Sequence, residues 1–179
     1  MFVQTEITPN PNSLKFLPGK TVSNCGSYEI TKKDNIQNEL VRNILSVNGV
    51  EGIFLSKEFI SVNKYDEIPW EEIKHIIISL INDFYASGKE FVINKALNET
   101  NEDLSEIEKK IVQILNNKIR PAVAKDGGDI KFKEFKDGVV TVQLQGSCSG
   151  CPSSTMTLKQ GVQNLLCHYI PEVKEVISI

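Results

Sequence analysis

Between Asn94 and Asp103 the chain runs Asn-Lys-Ala-Leu-Asn-Glu-Thr-Asn-Glu-Asp, polar in all but two positions and with no period of two or of 3.6. Such a stretch cannot cross a core, so the apolar residues on either side must be buried in two separate places. The sequence therefore predicts two small domains, residues 1–93 and 104–179, joined by a polar linker at 94–103. The total of 179 residues, 40% of them hydrophobic, is enough material for two such cores.

In the first half, Thr8-Pro9-Asn10-Pro11-Asn12 is a turn between extended runs at 2–7 and 14–17. Ile36, Leu40, Ile44 and Leu45 recur at helical spacing until Asn48-Gly49, and 50–56 with 59–64 reads as a hairpin around Lys57-Glu58. Pro69 opens a long helix with Ile73, Ile76, Ile77, Leu80, Ile81 and Phe84 on its apolar face, ended by Ser87-Gly88. Trp70 reads as a packing residue and His75 as a surface or packing residue.

The second half opens on Ser105-Glu106-Ile107-Glu108, a capping box, followed by Ile107, Ile111, Ile114, Leu115 and Ile119 along a helix that extends past Pro121 with a kink. Asp126-Gly127-Gly128-Asp129 is expected as a solvent-facing turn. Residues 130–135 and 139–144 pair around Lys136-Asp137-Gly138, since Asp-Gly favours tight hairpins. A helix over 152–169 should bury Met156, Val162, Leu165 and Leu166, and 173–179 is a last strand. Each half thus reads as an α/β sandwich, and the fold class is α+β.

Composition narrows the function. Twenty basic against 23 acidic residues give a net charge of -3, and the lysines are interleaved with acids, so nucleic acid is not an expected partner. The longest apolar run, Ile76 to Ile81, is too short to span a bilayer. The first residues show neither a secretion signal nor an Arg-rich presequence, which leads to the expectation of a bacterial cytoplasm. No nucleophile elbow, phosphate-cradling glycine loop or paired carboxylates appear, so catalytic turnover is not expected.

The chemistry concentrates in the cysteines. Of the four, Cys148 and Cys151 lie where a strand hands over to a helix, with Gly146 and Gly150 permitting a tight loop and Pro152 starting the helix. The first-turn amides and the positive end of the helix dipole then point at the sulfurs and favour thiolates, the metal-binding form. Ser147, Ser149, Ser153 and Ser154 can donate hydrogen bonds to sulfur.

A [4Fe-4S] cluster or a structural zinc takes four protein ligands, and this loop brings a pair. Cys167 is sixteen residues further along the helix, about 24 Å from Cys151 at 1.5 Å per residue. It and His168 read as core and cap residues, while Cys25 has no other ligand type beside it. The remaining ligands are therefore expected from a second copy of the loop across a two-fold axis. A zinc site, a dithiol oxidoreductase and a pair of inert buried thiols remain as alternatives.

Residues 105–179, with Ile119-Arg120-Pro121-Ala122-Val123-Ala124-Lys125-Asp126-Gly127-Gly128-Asp129-Ile130 and Gly146-Ser147-Cys148-Ser149-Gly150-Cys151-Pro152-Ser153-Ser154, resemble the C-terminal domain of NifU. Residues 1–92, with Thr8-Pro9-Asn10-Pro11-Asn12-Ser13-Leu14-Lys15-Phe16 and Val50-Glu51-Gly52-Ile53-Phe54, resemble the N-terminal domain of the Nfu proteins of mitochondria and related bacteria. The resemblance implies an iron-sulfur cluster carrier: a [4Fe-4S] cluster bridging two chains of a homodimer, held by Cys148 and Cys151. It also implies apo iron-sulfur proteins as recipients and upstream cluster assembly proteins as partners. The loop is expected to stay exposed so that a recipient's thiolates can displace its own.

Overall fold

A computed structural model describes residues 2–24, 26–32, 34, 37–91, 103–149 and 152–179, with the side chains at 152–154 left aside. Two compact units emerge, Met1–Leu97 and Asn98–Ile179, and each combines helices with a sheet. The fold class is α+β, as expected. Cys25, Ile36, Gly150, Cys151 and the linker, except for Asp103, lie outside the described residues.

In the first unit the Pro/Asn-rich segment turns β1 (Gln4–Ile7) back onto β2 (Ser13–Leu17). The Thr8 hydroxyl donates to the carbonyls of Asn10 and Ser13, at 2.9 and 3.0 Å, and the Asn10 side chain accepts from the Asn12 N–H at 3.0 Å. These local bonds replace the ladder that prolines cannot supply. A short strand β3 (Tyr28–Thr31), absent from the sequence reading, follows. Helix α1 (Glu39–Leu45) starts at Asn38, whose side chain accepts from the Val41 N–H at 3.1 Å. The hairpin of β4 (Val50–Leu55) and β5 (Ile60–Lys64) completes an antiparallel sheet of order β1-β2-β5-β4-β3.

Helix α2 (Trp70–Ala86) buries Ile73, Ile77, Ile81 and Phe84. These positions recur at four, four and three residues, a stripe that leaves Ile76 to one side. Ile76 is 40% exposed, which corrects its place on the apolar face. Trp70 packs as expected, edge-on to Phe16 with ring centres 6.5 Å apart, and its Nε1–H donates to the Pro11 carbonyl at 3.0 Å.

In the second unit α3 (Glu106–Ile114) begins with the expected reciprocal cap: the Ser105 hydroxyl accepts from the Glu108 N–H at 3.3 Å, and the Glu108 carboxylate accepts from the Ser105 N–H at 2.8 Å. The helix then widens into a π turn (Leu115–Ile119) before α4 (Arg120–Lys125). Pro121 explains the site of the distortion, because it offers no N–H to the carbonyl four residues back and its ring crowds that carbonyl.

Strands β6 (Gly128–Lys136) and β7 (Val139–Gly146) form the anticipated hairpin, with Asp137 and Gly138 at φ 51° and 80°. Helix α5 (Pro152–Tyr169) crosses back so that β8 (Glu175–Ser178) lies parallel to β7, giving the order β6-β7-β8. Val162 and Leu166 of α5 enter a core with Ile111, Leu115, Val123 and Val140. Met156 does not. It lies six residues before Val162, about 120° around the helix, and is 74% exposed, correcting the expected burial.

Candidate functional site

The cysteine loop grows from the end of β7. Gly146 adopts φ 67°, a left-handed angle that a side chain would resist, and swings the chain out of the strand. Ser149 closes the turn by donating both its N–H, at 3.2 Å, and its hydroxyl, at 2.8 Å, to the Gly146 carbonyl. The Thr155 hydroxyl donates to the Cys148 carbonyl at 3.0 Å, tying the loop to the first turns of α5. Strand, loop and helix N-terminus are joined in the order that the sequence suggested.

The Cys148 side chain points inward. It is 6% exposed and belongs to the core formed with Ile130, Leu144 and Val162. The expectation was of an exposed loop, and at Cys148 the structure differs: a thiol is small and apolar enough to complete a core, and here the adjacent turn leaves room for it. Neither Cys148 nor Cys167 is in a disulfide. Gly150 and Cys151, on which the pairing of the two thiols depends, lie outside the described residues.

The room is made by the Asp126–Asp129 turn, which is not the solvent-facing connection that its composition suggested. Gly127, Gly128 and Asp129 are buried. A methyl group at Gly128 would stand 2.6 Å from the Gln145 carbonyl oxygen and 2.7 Å from Cys148 Sγ, closer than carbon atoms approach either. The Ser147 N–H donates to the Gly127 carbonyl at 3.2 Å, and the Ser147 hydroxyl donates to the Asp126 carbonyl. The turn and the cysteine loop are thus one packed assembly.

Asp129 carries a carboxylate into this assembly at 4% exposure. Arg120 meets it with two hydrogen bonds, Nε to Oδ1 at 2.8 Å and Nη2 to Oδ2 at 2.7 Å. Sequence reasoning missed this pair, since nine residues and a helix-to-strand turn separate the partners and no local pattern links them. The remaining candidates sit elsewhere. Cys167, near the far end of α5, is half-buried and donates its S–H to the Val173 carbonyl at 3.2 Å, a core role as expected. His168 and His75 are exposed. Among the described residues no three His, Cys, Asp or Glu side chains gather where they could hold a metal, and no helix is long and apolar enough to cross a membrane.

Comparison with known proteins brings two family matches: the NifU-like domain over residues 111–177 and the Nfu/NifU N-terminal scaffold protein domain over residues 3–88. NifU-like protein 4, mitochondrial, of Arabidopsis thaliana is 42% identical over 98% of this chain and 65% of its own length. NFU1 iron-sulfur cluster scaffold homolog, mitochondrial, of Homo sapiens is 43% identical over 100% of this chain and 72% of its own length. The chain thus spans about two thirds of the length of the curated relatives it matches. The solution NMR structure of a NifU-like protein from Saccharomyces cerevisiae is 30% identical over 53% of this chain and 86% of that chain, with a TM-score of 0.47.

These relatives overturn the bacterial cytoplasmic placement. The relatives that match essentially the whole chain are mitochondrial proteins. The earlier expectation rested on the first few residues alone, and they are no guide to the compartment.

Proposed function

This chain belongs to the NifU-like family, with the family's Nfu-type N-terminal domain as well, and on that premise we propose that it is an iron-sulfur cluster carrier. It binds a [4Fe-4S] cluster between two copies of itself and passes it to apoproteins during cluster assembly. The cluster is cargo, received from upstream assembly proteins. Residues 104–179 hold it, and residues 1–93, tethered through the polar segment 94–103, serve recognition of partners.

The observation that carries this reading is the Cys148-Ser149-Gly150-Cys151 loop set between the end of β7 and the N-terminus of α5. Cys148 and Cys151 are the ligands, and a [4Fe-4S] cluster needs four thiolates where one chain supplies a pair. Two loops facing each other across a two-fold axis complete the set. Cys167 cannot help, since the length of α5 keeps it roughly 20 Å or more from the loop at 1.5 Å per residue. The residues around the loop then have definable tasks. Gly146 turns the strand out, Thr155 fixes the Cys148 backbone to α5, and the first-turn amides of α5 stabilise negative charge on the ligands. Release follows when a recipient's thiolates replace those of Cys148 and Cys151 one by one, which needs no turnover chemistry from the protein.

Anaerobic reconstitution with iron and sulfide, followed by iron determination, absorption spectroscopy and native mass measurement, tests the proposal. About four irons per two chains and a broad visible band are expected, both lost in Cys148→Ser and in Cys151→Ser. A metal-loaded single chain, or iron retained after both replacements, overturns it. A dithiol oxidoreductase would instead stay iron-free and reduce a test disulfide.

A further inference from the structure

The residues beneath Cys148 form a brace that ligand chemistry alone does not call for. The Asp129 carboxylate is held at both oxygens by Arg120, and Oδ1 also accepts the Ile130 N–H at 2.8 Å. The same guanidinium donates from Nη1 to Asn116 Oδ1 at 3.1 Å. Arg120 opens α4 and Asp129 is the second residue of β6, so the pair ties the start of the helix to the strand that leaves the turn. That turn in its own right carries the loop, through Ser147 on the carbonyls of Asp126 and Gly127 and through Gly128 against the Cys148 sulfur. Among the described residues of this unit the other ion pair, Lys109 with Glu106, lies within one helix and is exposed on both sides.

From this chain of contacts we infer that Arg120 and Asp129 are positioning residues for Cys148: their ion pair holds the Asp126–Gly128 turn in place, and the turn forms the seat in which the thiol is stowed. A two-point guanidinium-carboxylate contact fixes orientation as well as distance, which a lysine cannot reproduce. With Arg120 removed, the buried Asp129 carboxylate is uncompensated and the cheapest relief is for the turn to open toward solvent; with Asp129 neutralised, the turn loses the charged anchor that Arg120 grips. The sulfur loses its wall when that happens. The pair therefore sets how readily Cys148 leaves the core to take or give up a ligand position. This last consequence rests on the proposed carrier function; the seat itself does not.

The test uses the full chain, purified without metal and reduced. A short pulse of iodoacetamide is followed by mass spectrometry of each cysteine peptide. Cys148 is expected to label slowly in the wild type and several-fold faster in Arg120→Gln and Asp129→Asn, with Arg120→Lys in between. Cys167, in the same core but at the other end of α5, is expected to keep its wild-type rate and so reports any general loosening. In protein reconstituted with iron and sulfide, the same variants should show an altered visible circular dichroism of the bound cluster and faster loss of iron to a chelator. Equal acceleration at Cys148 and Cys167, or an unchanged rate at Cys148 in a variant with native far-ultraviolet circular dichroism, overturns the inference. If Arg120→Gln does not fold, Asp129→Asn and Arg120→Lys decide by the same two rates. Failure of the wild type to take up a cluster would sink the carrier function, while the labelling rates would still decide the brace.

Discussion

The α-carbon of Gly128 lies so close to the thiol of Cys148 that a methyl group placed on it would stand 2.7 Å from the sulfur. The two residues are twenty positions apart in sequence and on different elements, yet neither can grow without the other moving. Gly128→Ala should therefore destabilise the second unit by about 1–3 kcal/mol, the range for overpacking a filled core. Calorimetry should show a lower melting temperature for that unit. The same variant should label faster at Cys148, because the sulfur is the movable side of the contact.

Position 156 and position 166 are both apolar residues of α5, but the structure separates them. Leu166 is fully buried and Met156 mostly exposed. Leu166→Ala should cost about 2–5 kcal/mol by leaving a cavity, whereas Met156→Ala should change stability by no more than about 0.5 kcal/mol. Urea unfolding followed by circular dichroism distinguishes the two, and equal losses would show that the face of α5 has been misassigned.

Ser105→Ala removes the acceptor for the Glu108 N–H and half of the reciprocal cap on α3. A loss of about 1 kcal/mol is expected. The chain has a single tryptophan, Trp70, in the first unit. Its fluorescence transition should stay where it is while the circular dichroism of the second unit shifts to lower denaturant.

Tyr85 gives the first unit a dependence on alkaline pH. Burial pushes its phenol from 10.0 up to about 12. The folded state holds the proton more tightly than the unfolded chain, so the contribution is fully present below pH 10 and is lost as pH rises from there through about 12. Denaturation midpoints across that window should fall in the wild type and fall less in Tyr85→Phe. The comparison with Tyr85→Phe also isolates this phenol from the other three tyrosines in absorbance titrations.

Local signals made most of the elements legible. The Asn10 turn, the Ser105 cap, the Asp137-Gly138 hairpin and the helix behind Pro152 each depend on residues within a few positions of one another, and each is found. What the sequence did not display depends on partners brought together by the fold. Tyr28 to Thr31 is only four residues long and becomes a strand because β4 offers it an edge, with Ile30 opposite Ile53. The parallel pairing of β8 with β7 is set by the crossover of α5, not by any pattern inside β8. In the site, the cysteine motif announced itself by spacing, but the burial of Cys148 and the Arg120–Asp129 pair follow from how a turn rich in small residues packs beneath it.

The widened turn over Leu115–Ile119 has a geometric consequence for the core. In a regular α-helix the eight steps from Leu115 to Val123 would sweep about 800°, leaving the two side chains about 80° out of alignment. A π turn winds less per residue and takes up roughly that excess. Leu115 and Val123 can then both reach the same core, as they do. The irregularity is a phase correction, by which one helical sequence keeps a common inner edge on both sides of a proline.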